Sequence, residues 1–299
     1  MKIFHILPQN ILPCGGIKVH YQLSELETEL GYESYIALPH PENPPTWFKH
    51  SCNIISQDEA RDLCIEDDII IGYEDPGVLK NFRSRKKVCY IQGEVFFRRD
   101  LSYDDFTLWF SSYWNRKKVG KVGNFVSPFV DPDVFPFKHK DFDVNTFRVL
   151  VQERKGGKAK WRELTKYLTS IARDMVEVKI LPNVSEEEFS KFLRESHFFF
   201  AHSYPEGLGL PVLEAMSTGT LVFGFSGGGG TDFMVNSKNC FYSKDDNFKE
   251  ATTGLLQLLI QEERERNLML AEARQTVKNY SRELTKLQLN NALGMLNGF

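Results

Sequence analysis

The feature that most constrains the fold of this chain is an alternation of short apolar runs and helical stripes, present in both halves. In the first half, residues 3–7 form an apolar run typical of a buried parallel strand. After it, apolar residues recur at steps of three and four, the spacing of an amphipathic helix: Val19, Leu23, Leu26 and Leu30. Gly31 suits the C-terminal cap of that helix. Strands that alternate with helices predict a parallel, doubly wound sheet.

The second half of the chain repeats this alternation. Apolar runs predict strands at residues 147–151, 178–181, 197–201 and 221–225. Ser185 and Glu188 have the spacing of a capping box, which predicts a helix that begins there. Between the halves, residues 127–136 are rich in Pro and Asp and indicate a linker.

These patterns predict an α/β protein with two Rossmann-like, doubly wound domains. We expect the domains to comprise residues 1–136 and 137–280, followed by a C-terminal helix at 281–299 that packs back on the first domain. Parallel sheets bind ligands at the carboxyl ends of their strands, so the two domains are expected to face a central cleft.

Composition restricts the class of protein. The 299 residues are 41% apolar and 26% charged, as is usual for a soluble globular protein. The net charge of −3 argues against general nucleic-acid binding. Five cysteines without close pairing predict a reduced, cytoplasmic protein. A basic excess within residues 80–121 favours an ordinary solvated surface. The alternative is peripheral contact with an anionic membrane, such as the inner membrane face, or with a phosphorylated acceptor.

The segment 203–219 carries the strongest functional signal. Gly207 and Gly209 allow a ligand to approach the backbone closely, and Pro211 suits the start of a helix. The amides before that helix form an anion site. The carboxylates of Glu206 and Glu214 suit hydroxyl groups, because they accept hydrogen bonds. An anion together with hydroxyls predicts a sugar nucleotide, although a plain strand-to-helix connection has the same pattern.

Three further segments fall at predicted strand ends. Gly15 and Gly16 precede the first helix and predict another phosphate or substrate contact, but they lack the Gly-x-Gly-x-x-Gly spacing of an NAD enzyme. Residues 227–230 are all glycine and predict bare amides near a ligand. A basic cluster after the strand at 147–151 suits a diphosphate leaving group: Arg154, Lys158 and Lys160.

No pattern in the sequence predicts a metal site. The seven histidines form no ligand pair. The Asp-x-Asp pairs can hold Mg²⁺ in other proteins, but here they lie in or beside the linker. We therefore interpret these residues as structural: Asp131, Asp133, Asp141 and Asp143.

The stretch from Glu206 to Glu214 resembles the signature of the retaining glycosyltransferases of family 4, which have the GT-B fold. Similarity to the family extends to the Gly-Gly loop and first helix at 8–31, and to segments 126–135, 181–203 and 221–233. The resemblance implies transfer of a hexose from a nucleoside-diphosphate sugar, with retention of the anomeric configuration and without a metal ion or other cofactor. It implies a saccharide, lipid-linked or other acceptor.

The resemblance also implies roles for the residues of the loop. Glu206 would bind a hydroxyl of the donor sugar, and Glu214 would accept from the ribose hydroxyls. Main-chain amides of one run would hold the sugar and phosphate of the donor: Gly207, Leu208, Gly209 and Leu210.

For the diphosphate, the resemblance implies contacts from Arg154 and Lys158, with Lys160 as the alternative to Lys158. Gly15 and Gly16 would approach the donor from the first domain.

The chain departs from the family on the acceptor side. Many members have a His near the strand predicted at 88–91, whereas this chain has Gln92 and Glu94, which are therefore expected on the acceptor side. Two alternatives stay open. One is another GT-B reaction, nucleotide-sugar epimerisation. The other, because that His is missing, is a non-catalytic protein that binds sugar nucleotides or serves in assembly.

Overall fold

The computed structural model describes residues 1–93, 97, 102–153, 166–170, 172, 174–243 and 247–298. Its internal contacts divide the chain into two compact units. The first unit comprises Met1–Pro128 and Arg282–Phe299, and the second comprises Phe129–Ser281.

The first unit is built on a parallel sheet. Its described strands are β1 Lys2–Ile6, β2 Glu33–Leu38, β3 Asn53–Ser56, β4 Ile69–Gly72, β5 Lys86–Ile91, β6 Thr107–Phe110 and β7 Asn124–Phe125. They lie in the order β3-β2-β1-β4-β5-β6-β7. In this register Ile3 pairs with Ser34 on one side and with Ile69 on the other. The central strands β1 and β4 are largely buried, which explains why they are continuous apolar runs.

Helices flank this sheet in the doubly wound pattern that the sequence predicts. The helical segments described in the first unit are α1 Gly15–Glu29, α2 Gln57–Leu63, the 3₁₀ turn Pro76–Leu79, α3 Tyr113–Val119 and the C-terminal helix Arg282–Leu296. The predicted stripe of α1 is confirmed, because Leu23 and Leu26 are fully buried. Gly31 follows the helix at φ +89°, a conformation that glycine adopts without steric cost.

The second unit has its own parallel sheet. Its described strands are β8 Phe147–Gln152, β9 Val176–Leu181, β10 Phe198–Ala201, β11 Leu221–Phe225 and β12 Phe241–Ser243. They lie in the order β12-β11-β10-β8-β9. Residues 166–170 are helical, and the other described helical segments are α4 Glu186–Glu195, α5 Leu210–Ser217, the 3₁₀ turn Gly229–Asp232, α6 Phe248–Ile260, α7 Glu263–Val277 and the 3₁₀ turn Lys278–Tyr280. The capping box of α4 is confirmed: Ser185 Oγ accepts from Glu188 N–H at 3.3 Å, and Glu188 Oε2 accepts from Ser185 N–H at 3.1 Å.

The chain segments at the division between the units are fixed by side-chain hydrogen bonds. Residues 129–136, which the sequence assigned to the first domain, bond to the second unit, because Ser190 Oγ donates to Val134 O at 2.6 Å and Ser217 Oγ donates to Phe135 O at 2.8 Å. The C-terminal helix belongs to the first unit, where Gln288 Oε1 accepts from the N–H of Ser127 at 2.8 Å.

A buried polar network joins β1 to α1 and β2 in the first unit. Glu27 Oε2 lies 2.9 Å from His5 Nε2 and accepts a hydrogen bond from Ser34 Oγ at 2.7 Å. The Nδ1 atoms of His5 and His20 lie 2.9 Å apart, within hydrogen-bond distance. All four side chains are at most 1% exposed, and Ser34 Oγ also lies 2.8 Å from Ser24 Oγ, so the hydrogen bonds of this network are made within the protein. We call these residues the His5–Glu27 network.

Acidification is expected to destabilise the protein through His20. Burial, and after it the neighbouring His5, lower the pKa of His20 well below its ordinary value of 6.5. Below that pH the unfolded chain binds a proton that the folded chain does not, so the free energy of unfolding falls by up to about 1.4 kcal/mol per pH unit. His20→Asn keeps a polar group towards His5 but does not titrate, and should reduce this loss. Urea unfolding at about pH 7 and pH 5 measures it; an equal acid loss in the variant would contradict the assignment.

Candidate functional site

The loop at 203–209 lies at the carboxyl edge of the second sheet. Strands β8, β10 and β11 end at Gln152, Ala201 and Phe225, and all three residues line one small cavity beside the loop. The other residues that line this cavity are Phe199, His202, Ser203, Glu206, Gly209, Pro211, Val212 and Ser226. This is the edge at which open α/β sheets bind ligands.

The main chain of Glu206 is held from both sides by the glycine-rich segment after β11. The N–H of Glu206 donates to Gly227 O at 2.7 Å, and Glu206 O accepts from the N–H of Gly229 at 2.9 Å. These two bonds form a parallel β-bridge between Glu206 and Gly228. We call this arrangement the Glu206 clamp. It fixes the position from which the Glu206 side chain enters the cavity.

The glycines of the clamp are required by close backbone contact. A Cβ on Gly229 would lie 2.2 Å from Gly207 O and 2.6 Å from Leu208 N, which no side chain tolerates. Gly227 has φ +66°, and a Cβ there would lie 2.7 Å from Ser203 O. The glycine run therefore has a packing function that the sequence does not reveal.

The structure corrects the prediction that this run presents bare amides to a ligand. Three of its N–H groups are used internally. Gly228 donates to Ser226 Oγ at 3.3 Å, Gly229 donates to Glu206 O, and Gly230 donates to Ser226 O at 2.9 Å. The physical reason is that backbone groups brought together at a strand edge pair with each other when they are close enough.

The start of α5 has the geometry of an anion site. Gly209 precedes the helix at φ +95° and provides no side-chain cap for its first amides. The helix begins at Leu210, one residue before the predicted start, so Pro211 is its second residue. Pro211 has no N–H and the N–H of Val212 donates to Gly209 O at 3.0 Å, which leaves the N–H of Leu210 as the first-turn amide for an anion. The helix dipole favours an anion near it. The cavity reaches this point through Gly209 and Pro211.

The two predicted carboxylates have different surroundings. Glu206 is half-buried and lines the cavity. Glu214 lies one turn further along α5, is only 5% exposed and is not among the residues that line the cavity. Leu208 and Leu210 are buried and are not among the residues that line the cavity. The structure thus brings Glu206 and Gly209 together and places Glu214 behind them.

Arg154, Lys158 and Lys160 lie outside the described residues. Gln152, which precedes these residues in the sequence, is described, and its carbonyl oxygen lies 2.5 Å from His202 Nε2. His202 is 3% exposed and lines the cavity, yet the sequence analysis gave it no role. Its place directly after the apolar run of β10 is the signal that marks it, because that run ends at the ligand-binding edge.

In the first unit the structure brings Gly16 and Gln92 into contact. Gln92 Nε2 donates to Gly16 O at 3.1 Å, at the start of α1 where Gly15 and Gly16 lie. The N–H of Gln92 donates to Glu74 Oε1 at 2.8 Å, and no sequence motif marks Glu74 as a site residue. Glu94 lies outside the described residues.

Neither a metal cluster nor a membrane span is found in the described ranges. No three or more His, Cys, Asp or Glu side chains there are grouped so as to hold a metal ion. No described helix combines the length and apolar content needed to cross a membrane. The Asp-x-Asp pairs form local turns, in which Asp131 Oδ1 accepts from Asp133 N–H at 2.9 Å and Asp141 Oδ1 accepts from Asp143 N–H at 2.9 Å. That these residues are structural stays a prediction, with which the turns are consistent.

Two Rossmann-like units, each with a parallel sheet, give the chain the GT-B fold of glycosyltransferases. Residues 156–281, which contain the Glu206 clamp and α5, match the family model described as Glycosyl transferases group 1. The similarity to this family therefore lies in the second unit of the chain. No curated protein matches the chain significantly.

Solved glycosyltransferase structures share this fold over the whole chain. A glycosyltransferase from Rickettsia africae is 13% identical with a TM-score of 0.73, and the match covers 99% of this chain and 98% of that one. Sucrose-phosphate synthase from Thermosynechococcus elongatus is 11% identical with a TM-score of 0.73, and both chains are fully covered. HepE from Anabaena, in complex with UDP-glucose, is 12% identical with a TM-score of 0.73, covering 99% and 100% of the two chains. At these identities the likeness shows the fold alone.

Proposed function

We propose that this chain transfers a hexose from a nucleoside-diphosphate sugar to a saccharide or lipid-linked acceptor, with retention of configuration and without a metal ion or other cofactor. The observation that carries the proposal is the Glu206 clamp, which fixes a carboxylate beside the uncapped start of α5 within a glycosyltransferase domain. A carboxylate for hydroxyls next to amides for an anion matches the two chemical parts of such a donor.

Each element of the site has a proposed role toward the donor. The amides of residues 207–210 hold phosphate oxygens and the sugar, and the Glu206 carboxylate accepts a hydrogen bond from a sugar hydroxyl. Glu214 accepts from the ribose hydroxyls. Arg154 with Lys158 or Lys160 neutralises the diphosphate as it leaves. HepE has been solved with UDP-glucose, which supports a nucleotide sugar as the donor class.

The proposed chemistry is a front-face displacement. The bond between the anomeric carbon and the departing phosphate oxygen breaks, and the acceptor oxygen bonds to the same face of that carbon. The proton of the acceptor hydroxyl moves to the departing phosphate. This route is implied by the family resemblance and needs no protein nucleophile, so the protein's part is to orient the donor and to stabilise the negative charge of the leaving group.

A thermal-shift screen with UDP, GDP, ADP, CDP and dTDP tests donor binding. A nucleotide present at about 100 times its Kd should add about 2.7 kcal/mol to the free energy of unfolding. A shift with none of the five would contradict the proposal.

Transfer and hydrolysis of the matching nucleotide sugars are then assayed, because tight binding without turnover would favour a non-catalytic protein. Formation of an epimeric nucleotide sugar would favour an epimerase, and unchanged turnover in EDTA is expected.

Glu206→Ala is expected to lower turnover by about 100-fold or more, by the loss of an oriented contact in the site. The variant should fold, because the clamp uses only the main chain of Glu206. Glu187→Ala removes an exposed carboxylate from α4 and serves as the matched control. Equal turnover in the two variants would remove Glu206 from the site.

A further inference from the structure

Glu74 occupies an unusual place for a carboxylate in the first unit. It follows β4, is 8% exposed, and its Oε1 accepts hydrogen bonds from the N–H groups of Gln92 and Gly93, both at 2.8 Å. Its own carbonyl oxygen accepts from Tyr103 Oη at 2.9 Å, so its main chain is fixed as well. One buried carboxylate oxygen thus fixes the turn that follows the neighbouring strand β5.

This turn determines the orientation of Gln92. With its main chain held by Glu74, Gln92 directs its Nε2 to Gly16 O at 3.1 Å. The carboxamide lies so close to α1 that a Cβ on Gly16 would be 3.1 Å from Gln92 Oε1. One of the two N–H groups of the carboxamide is therefore used within the protein. No described residue donates a hydrogen bond to Oε1, which is an acceptor on a half-buried side chain at the carboxyl edge of the first sheet.

The chemistry of Gln92 and Glu74 favours one kind of ligand over another. A carboxamide oxygen accepts a hydrogen bond from a hydroxyl but has nothing to offer a phosphate, whose oxygens are also acceptors. Glu74 places a carboxylate behind it, and like charges repel at short distance. The N–H groups of Gln92 and Gly93, which suit an anion, already bond to Glu74. These groups favour an uncharged, hydroxyl-bearing acceptor.

We propose that Glu74 is a positioning residue of the acceptor side, which holds Gln92 so that its Oε1 accepts a hydrogen bond from a hydroxyl of an uncharged saccharide. This inference rests on the proposed function, in which a saccharide is the acceptor, and on the family resemblance, which implies that Gln92 lies on the acceptor side. Glu74 acts through the turn after β5 and does not touch the acceptor.

The test is saturation-transfer NMR on the full chain, with the methyl glycosides of glucose, galactose and mannose and with the 6-phosphates of the same sugars as probes. We expect at least one glycoside to bind and the phosphates to bind more weakly. Gln92→Ala and Glu74→Ala should each weaken glycoside binding by about fivefold or more, the equivalent of one hydrogen bond. Glu74→Gln keeps an oxygen that accepts from both N–H groups and should bind within about twofold of wild type.

Glu42→Ala, which removes an exposed carboxylate from the first unit, is the matched control and should not change binding. If Glu74→Ala does not fold, glycoside binding by Gln92→Ala and by Glu74→Gln, each compared with wild type, still tests the inference. Glycoside binding that is absent in wild type, weaker than phosphate binding, or unchanged in Gln92→Ala or in a folded Glu74→Ala overturns the inference. A thermal shift with a nucleoside diphosphate that persists in these variants shows that only the acceptor-side inference has failed.

Discussion

Gly229→Ala is expected to weaken nucleotide binding by about 100-fold or more, the scale expected when a catalytic or binding group is displaced by about 1 Å. The added Cβ would lie 2.2 Å from Gly207 O and 2.6 Å from Leu208 N, and both are backbone atoms that cannot rotate away. The loop has to move, and the hydrogen bond from Gly229 N–H to Glu206 O is lost with it. Titration calorimetry with the nucleoside diphosphate that gives the largest thermal shift measures the effect.

Gly230→Ala is the matched control for this prediction. At Gly230 the atom that a new Cβ meets is Met234 Sδ, at 2.7 Å, which lies near the end of a flexible side chain. Its φ is ordinary, so alanine adds no backbone strain. We expect nucleotide binding within about threefold of wild type, a difference below 1 kcal/mol. If Gly229→Ala binds as tightly as Gly230→Ala, the clamp does not set the geometry of the site.

Much of the fold follows from local and periodic signals. The stripe of α1 and the capping box of Ser185 and Glu188 are decided within a few residues of sequence, so they can be predicted without tertiary knowledge. The same holds for the Glu206 loop, because an apolar run before it and a helix after it place it at the carboxyl edge of a parallel sheet.

The parts that could not be predicted depend on segments far apart in the sequence. Glu74 acquires its position only when β4 and β5 become neighbours and bring the N–H groups of Gln92 and Gly93 to its carboxylate. The glycine run after β11 is compatible with ligand binding or with backbone packing, and only its contact with Gly207 decides between them. A sequence pattern gives the conformational freedom of a residue but does not give its partner.

The C-terminal helix shows a similar limit, although the sequence predicts the helix itself. Its attachment in the first unit involves Glu29 on α1, which is hydrogen-bonded to Arg282 and pairs with Lys286 at 3.1 Å. The hydrogen bond from Arg282 is the main cause that lowers the pKa of Glu29 to about 2. A sequence contains many Lys and Arg side chains that could pair with a given surface carboxylate, so only the structure shows which of them do.

Glu27→Ala is expected to lower the free energy of unfolding by about 3 kcal/mol or more, although Glu27 lies in none of the segments to which a ligand role is assigned. Its Oε2 is the acceptor shared by His5 Nε2 and Ser34 Oγ, and both donors are buried. His5 Nε2 loses its acceptor, which costs about 1–3 kcal/mol, whereas Ser34 Oγ still has Ser24 Oγ at 2.8 Å. The cavity left by the side chain adds to the cost. Urea unfolding at neutral pH measures the loss.

Two substitutions on the same helix separate this network effect from a general effect on α1. Glu27→Gln keeps the shape and one acceptor oxygen, so its loss should be smaller than that of Glu27→Ala. Thr28→Ala alters the next residue, which is exposed, and should change stability by no more than about 0.5 kcal/mol. A loss below about 1 kcal/mol in Glu27→Ala would mean that His5 and Ser34 find other partners. The network would then be dispensable for stability.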